Sequence, residues 1–393
     1  MRTKYSLFLV VLGMFLFVSC QAGNSNSQNL QTGAGQTEEW LPLLKDQRVG
    51  LLVNHTSMVG ETHLVDKVLD EGVDVVRIFA PEHGFRGDAD AGEHVEDMVD
   101  EKTGVPVVSI YGDNRKPSPE QMEGLDVVIF DVQDVGVRFY TYISSMHYMM
   151  EACAENDVDF IVLDRPNPNG EYFDGPVLEP EFKSFVGMHP IPVVHGLTVG
   201  ELARMINGEG WLEDGVNCDL EVVEMTGYTH STEYSLPVKP SPNLPNDLSV
   251  RIYPSLCFFE ATIMSVGRGT DFPFQVVGAP DSVYGDFTFT PRSIEGMDSD
   301  PKYKGQECYG KDYRDLDPWE QKFSLEPFSR FYERSEEDSA FVSRRRWFHL
   351  LSGTDQLLKQ IEEGLSESEI RKSWEDELND YARLRQKYLL YPE

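Results

Sequence analysis

Within Ala80-Pro81-Glu82-His83-Gly84-Phe85-Arg86-Gly87-Asp88, two carboxyls, an imidazole and a guanidinium crowd together. Carboxyls and imidazoles are the usual agents of general acid–base chemistry. A guanidinium is a fork that matches a carboxylate or phosphate. The stretch just before them, Val73-Asp74-Val75-Val76-Arg77-Ile78-Phe79, is β-branched and apolar, and reads as a buried strand. Pro81, Gly84 and Gly87 break that strand, so the polar groups sit on a loop held by a rigid element, where binding and catalytic residues concentrate.

The same arrangement recurs along the chain. A strand over 48–53 ends at Asn54-His55, and one over 105–111 ends at Tyr111. A strand over 126–131 ends in Asp131-Val132-Gln133-Asp134-Val135-Gly136. A strand over 159–163 runs into Asp164-Arg165-Pro166-Asn167, and an extended stretch over 190–194 ends at His195. Helices separate them. Residues 63–71 place Leu64, Val65, Val68 and Leu69 on one face, and Gly72 ends the helix. Phe139, Tyr142, Ile143, Met146, Met149, Met150 and Cys153 fall at helical spacing and form a core stripe. Thr198 and Glu201 have capping-box spacing, which makes Glu201 a cap rather than a catalyst. Such alternation predicts a mostly parallel α/β sheet with helices on both faces. Ligands of these sheets bind beyond the carboxyl ends of the strands. The polar strand ends are therefore expected to meet in one cleft.

The pattern changes at Pro240-Ser241-Pro242-Asn243-Leu244-Pro245, which marks the junction between a domain over 39–240 and a smaller one over 241–393. Beyond it stand Glu260, alone in an apolar stretch, and Gly267-Arg268-Gly269-Thr270, which lacks the third glycine of a dinucleotide loop. Helices are expected over 347–351 and 354–364, with a last one running from Ser366 to Tyr388.

The first twenty residues are a separate object. Arg2 and Lys4 precede an apolar run over 7–18, too short to span a bilayer comfortably. Val18-Ser19-Cys20 then reads as a lipoprotein signal with Cys20 as the lipidated residue, and residues 21–38 as a flexible tether. The expected location is the cell envelope, with the membrane reached only through that lipid. The net charge is −33, from 34 basic and 67 acidic side chains, which argues against nucleic-acid binding. An exported protein could form disulfides, but the apolar neighbours of Cys153 and Cys257 favour buried thiols over bridges among Cys153, Cys218, Cys257 and Cys308. No CxxC or HExxH is present, so neither a metal nor another cofactor is expected.

Several long motifs resemble those of the NamZ-like exo-β-N-acetylmuramidases, a glycoside hydrolase family. They are Pro81-Glu82-His83-Gly84; the run from Phe130 to Tyr142 containing Asp131, Gln133, Asp134, Arg138 and Tyr140; and Leu163-Asp164-Arg165-Pro166-Asn167-Pro168. His195-Gly196-Leu197-Thr198-Val199-Gly200-Glu201, Pro240-Ser241-Pro242-Asn243 and Gly267-Arg268-Gly269-Thr270 extend the match. Asp174 departs from it, standing where the family has Glu. The resemblance implies a Rossmann-like N-terminal domain without a dinucleotide, a smaller α/β C-terminal domain, and a cleft between them. It implies release of N-acetylmuramic acid from the non-reducing ends of peptidoglycan fragments. Such hydrolysis needs a proton donor and a partner for the oxocarbenium charge. A carboxyl drawn out of water at a strand end can keep its proton, and Glu82 takes that role. Asp131 and Glu93 are the candidates for the second group; the substrate's own acetamide, oriented by Asp131 or Asp134, is a third route. The lactyl carboxylate calls for an arginine: Arg138 or Arg165 first, then Arg86 or Arg268. His83 and His195 are candidates for the sugar hydroxyls. Asn54, Asp134, Tyr140, Asp164, Asn167 and Glu260 complete the expected substrate-binding set. A sugar-binding lipoprotein without activity is the rival reading. An esterase is disfavoured by the absence of a G-x-S-x-G elbow.

Overall fold

The computed structural model describes residues 30–82, 84–86, 97–335 and 338–393. Seven strands form its central sheet: β1 (Arg48–Val53), β2 (Asp74–Ala80), β3 (Met98–Val99), β4 (Pro106–Ser109), β5 (Val127–Asp131), β6 (Asp159–Leu163) and β7 (Leu220–Val223). Their spatial order is β7-β6-β5-β1-β2-β4-β3, parallel except for the edge strand β3. The chain leaves β1 toward one edge and returns to β5 on its other side. The crevice where strand order reverses therefore opens beside β1.

Alternation along the strands fills both faces. Val49, Leu51, Val53, Ile78, Ala80, Ile129 and Leu163 pack on one side with Trp40, Leu44 and helix α1 (Leu64–Asp70). Leu52, Phe79, Val108, Phe130, Phe160 and Val162 pack on the other with α2 (Tyr142–Glu155) and α3 (Val199–Gly208). A sheet covered on both faces reads as continuous apolar runs, as these strands do.

Three expectations need correction. The helix expected from Phe139 begins at Tyr142. Gly136 has φ +77°, and its N–H is taken by Asp134 Oδ2 at 2.6 Å, so the chain turns through 136–141 before it coils. The stretch before His195 forms a separate antiparallel hairpin, 192–194 on 174–177, instead of joining the parallel sheet. The last helix is two, Glu367–Lys372 and Glu375–Arg385; the Ser373 hydroxyl closes the first by donating to the Ile370 carbonyl at 2.6 Å. The four cysteines from 153 onward are buried free thiols.

The C-terminal half carries a three-stranded antiparallel sheet (276–279, 308–312, 287–289) and the helix α4 (Asp247–Leu256). It shares one apolar core with the first half: the Phe139 ring meets Tyr253 at 5.4 Å and Phe258 at 5.9 Å, both edge-on. Arg138 ties the halves further. It is wholly buried, and its guanidinium donates to the carbonyls of Pro176 (2.8 Å), Ile191 (2.6 Å), Leu351 (3.1 Å) and Ser352 (2.7 Å). Burial pulls its pKa down to about 9.

Asp164, just past β6, is also fully buried and accepts from Gly200 N–H at the start of α3, from Arg165 N–H, and from the Thr198 and Tyr391 hydroxyls at 2.7 and 2.6 Å. Burial pushes its pKa up to about 7 against those hydrogen bonds.

Two stability predictions follow from these groups. Arg138→Ala strands four buried carbonyls and should cost about 2–4 kcal/mol in urea unfolding. Asp164 holds its proton in the folded state at pH values where the unfolded chain has lost it. Its contribution is full below about pH 4 and is lost as pH rises through about 7, a swing on the order of 4 kcal/mol. Asp164→Asn keeps a neutral group in the same place and should flatten that slope in melting curves across the window. A variant slope equal to the parent's would remove the assignment.

Candidate active site

The parallel register sets the first contact of the site. Ala80 of β2 pairs with Ser109 of β4, so Glu82 and Tyr111 each stand two residues beyond a paired position. The Tyr111 hydroxyl donates to Glu82 Oε1 at 3.0 Å. The Thr141 hydroxyl, on the turn leading into α2, reaches Glu82 Oε2 at 3.2 Å, and the Tyr142 hydroxyl meets the Glu82 backbone carbonyl at 3.4 Å. Burial, reinforced by the Glu82 charge, pushes the Tyr111 phenol above its ordinary pKa, and the same two causes act on Tyr142. Both phenols therefore remain donors.

Glu82, Tyr111 and Thr141 line a cleft of about 170 Å³ between the halves of the chain. Glu260 and Arg268 also line it, with the aromatic rings of Phe139, Tyr140, Tyr253, Phe274 and Trp347. The junction segment supplies Ser241, Asn243 and Leu244. Arg268 meets Glu260 Oε1 through Nε at 2.8 Å and Nη2 at 2.7 Å, and lies 5.2 Å from the Phe274 ring centre. Burial works against the Arg268 charge, but the Glu260 carboxylate outweighs it and holds the guanidinium above its ordinary pKa. A larger hollow of about 630 Å³ lies at the opposite end of the sheet, bounded by 41–47 and 71–74; none of the polar strand ends reach it.

Most of the other expected site residues are engaged elsewhere. Asp131 and Arg165 form a bidentate pair, 2.6 and 2.9 Å, wholly buried beneath the strand ends. Arg165 also donates to the Met58 carbonyl. Asp131 thus faces a guanidinium instead of the cleft. Arg138 is spent on backbone carbonyls, and Arg86 forks onto Asp100 at 3.1 and 2.9 Å. Asp164 caps α3. Asn167 holds the Leu197 carbonyl and the Asn169 N–H, and Asn54 Oδ1 receives the N–H and hydroxyl of Thr56. His195 accepts the Leu197 N–H on Nδ1, which leaves Nε2 facing Asp134 Oδ2 at 3.3 Å. Tyr140 lines the cleft while its hydroxyl donates to the Pro240 carbonyl at 2.6 Å. His83, Glu93 and Cys20 lie outside the described residues. Glu201 is the cap expected of it, accepting the Thr198 N–H in a full capping box.

Of the proposed set, the structure brings Glu82, Tyr140, Glu260 and Arg268 to one cleft. Sequence reasoning placed Tyr111 at a strand end expected to reach the cleft but gave it no role there, and it missed Thr141 and Trp347. Strand register was the signal for Tyr111, and Thr141 sits inside a motif whose neighbours had been chosen.

The chain matches two family models end to end: the N-terminal domain of exo-β-N-acetylmuramidase NamZ over residues 49–248 and its C-terminal domain over 251–391. It is 38% identical over the whole length of both chains to the peptidoglycan β-N-acetylmuramidase NamZ of Bacillus subtilis strain 168. Two solved DUF1343 family proteins from Bacteroides fragilis share the fold. One is 44% identical with a TM-score of 0.86, covering 93% of this chain and 99% of its own. The other is 32% identical with a TM-score of 0.79, covering 92% and 99%. With both halves matched and a full-length relative at that identity, the chain belongs to the NamZ family of exo-β-N-acetylmuramidases.

Proposed function

We propose that the cleft hydrolyses the glycosidic bond of a terminal N-acetylmuramic acid in peptidoglycan fragments, with Glu82 as proton donor. The observation that carries this is the placement of Glu82: half-buried, just past a strand end, in the cleft that Glu260 and Arg268 also line. Membership of the family supports the reaction class.

The aromatic lining suits the apolar faces of a sugar ring. Glu82 gives its proton to the leaving oxygen. Asp131 is fully engaged by Arg165, so the second carboxylate is assigned to Glu260, the other carboxylate among the cleft-lining residues. Arg268 contacts Glu260 through one oxygen, Oε1, while among the described residues Oε2 meets the Cys257 thiol at 3.7 Å. That oxygen is the one offered to the oxocarbenium charge. Arg268 is the guanidinium that lines the cleft, and it takes the lactyl carboxylate in place of Arg138 and Arg165. The leader and Cys20 would hold the enzyme at the envelope, where wall fragments occur.

Glu82→Gln should fold normally and lose at least about a hundredfold in kcat on a chromogenic muramic glycoside whose weakly acidic leaving group must be protonated to depart. Near-parental colour release would end the assignment, and a parent that releases none would make the protein a binder. Arg268→Ala should lower kcat/KM on muramic substrates by about ten- to a hundredfold, as expected for a hydrogen bond to a charged group. The matching N-acetylglucosamine glycoside should be affected far less; equal losses on both would show that Arg268 does not read the carboxylate. Cys20→Ser should move the protein from the membrane fraction to the soluble one, and unchanged membrane recovery would refute the lipid anchor.

A further inference from the structure

The two oxygens of Glu82 are not equivalent. Oε1 receives the Tyr111 hydroxyl at 3.0 Å and Oε2 the Thr141 hydroxyl at 3.2 Å. A phenol has one proton, and Tyr111 directs it at Oε1. Burial and the neighbouring Glu82 charge keep that phenol protonated, and a phenol is a stronger donor and a weaker acceptor than an aliphatic hydroxyl. An oxygen that accepts from so strong a donor is favoured as the carbonyl oxygen of a carboxylic acid, which places the acid's hydrogen preferentially on the other oxygen. Thr141 imposes a weaker preference, because an aliphatic hydroxyl is the poorer donor and better acceptor of the two and rotates to suit its partner. It can donate to Oε2 when Glu82 is ionised and turn to accept when Oε2 bears a proton.

We propose that Tyr111 is a positioning residue that fixes the catalytic proton on Oε2 of Glu82, with Thr141 as the rotor that tolerates both protonation states. This rests on Glu82 being the proton donor. As the C1–O bond breaks, its electron pair stays with the leaving oxygen, which takes the proton from Oε2. Glu82 is left as a carboxylate bonded by both hydroxyls. Water then delivers its hydroxyl to C1 and its proton to Glu82, which restores the acid. The two hydroxyls come from different elements, the loop after β4 and the turn before α2, so the carboxyl plane is held from two sides.

The test compares two substrates of one sugar: the disaccharide of N-acetylmuramic acid and N-acetylglucosamine, whose alcohol must be protonated to leave, and the dinitrophenyl muramic glycoside, whose phenolate leaves unaided. Tyr111→Phe should lower kcat on the disaccharide about tenfold or more, with KM changed less than about twofold. On the dinitrophenyl glycoside it should stay within about twofold of the parent, which also reports that the variant is folded. Glu82→Gln run in parallel should show the same leaving-group dependence with a larger loss on the disaccharide. An equal loss for Tyr111→Phe on both substrates, or no loss on the disaccharide, overturns the positioning role while Glu82 keeps its own. If Glu82→Gln loses equally on both, Glu82 is not the donor, and the inference about its proton falls with it.

Discussion

A single guanidinium without a carboxylate partner holds the two walls of the cleft in place. Arg138 is wholly buried, and taking such a charge out of water costs several kcal/mol. Four backbone carbonyls offset that cost, from the 174–177 strand, the segment entering 192–194, and the end of the helix Arg345–Ser352. Those carbonyls belong to both halves of the chain. The same helix carries Trp347 and Leu351 into the cleft, while Phe139, Tyr140 and Thr141 follow Arg138 directly in sequence. The geometry also dictates Gly353. Its φ is +76°, and a Cβ there would stand 2.6 Å from Arg138 Nη2. A missing side chain at 353 and a buried charge at 138 are one device, separated by more than two hundred positions.

That device shows how far a sequence can be read. The parallel sheet was legible because a two-sided core writes continuous apolar runs between polar breaks, and β1 and β6 fall where those runs do. The polar breaks were legible as a cluster, but their roles were not. Asp131, Arg165, Asp164 and Asn167 look catalytic by type and position. Each instead satisfies groups that crowded strand-end turns would otherwise bury without partners. Scaffolding and chemistry draw on the same residue types here, and only distances separate them. Tyr111 was legible as a strand end bound for the cleft but not as a partner, because only the β2–β4 register sets it beside Glu82.

Charge poses a separate constraint. A protein at −33 repels an anionic saccharide at long range, yet the family acts on an acidic sugar. Screening resolves much of this. At physiological ionic strength the field of exposed charges decays over about 8 Å, so groups lining the cleft dominate once the substrate is inside. There Arg268 stands paired through one oxygen of Glu260. A lone arginine would attract the lactyl group more strongly, but it would also be free to swing. Glu260 and the Phe274 ring fix its plane, which exchanges some attraction for direction.

The two carboxylates that line the cleft also differ in how they are held. The hydroxyls of Tyr111 and Thr141 meet the Glu82 carboxyl, and the Arg268 guanidinium meets Glu260. Neutral donors leave a carboxyl able to exist in either protonation state with modest rearrangement, because a hydroxyl can reorient. A guanidinium has only donors and strongly favours the anion. The division of labour proposed for the cleft matches these partners: the proposed donor stands beside hydroxyls that can reorient, and the proposed charge-bearing group beside a fixed guanidinium. Two carboxylates with identical surroundings could not divide the work this way. The asymmetry originates in the two halves of the chain, since one carboxylate follows a parallel strand and the other stands in the segment after α4.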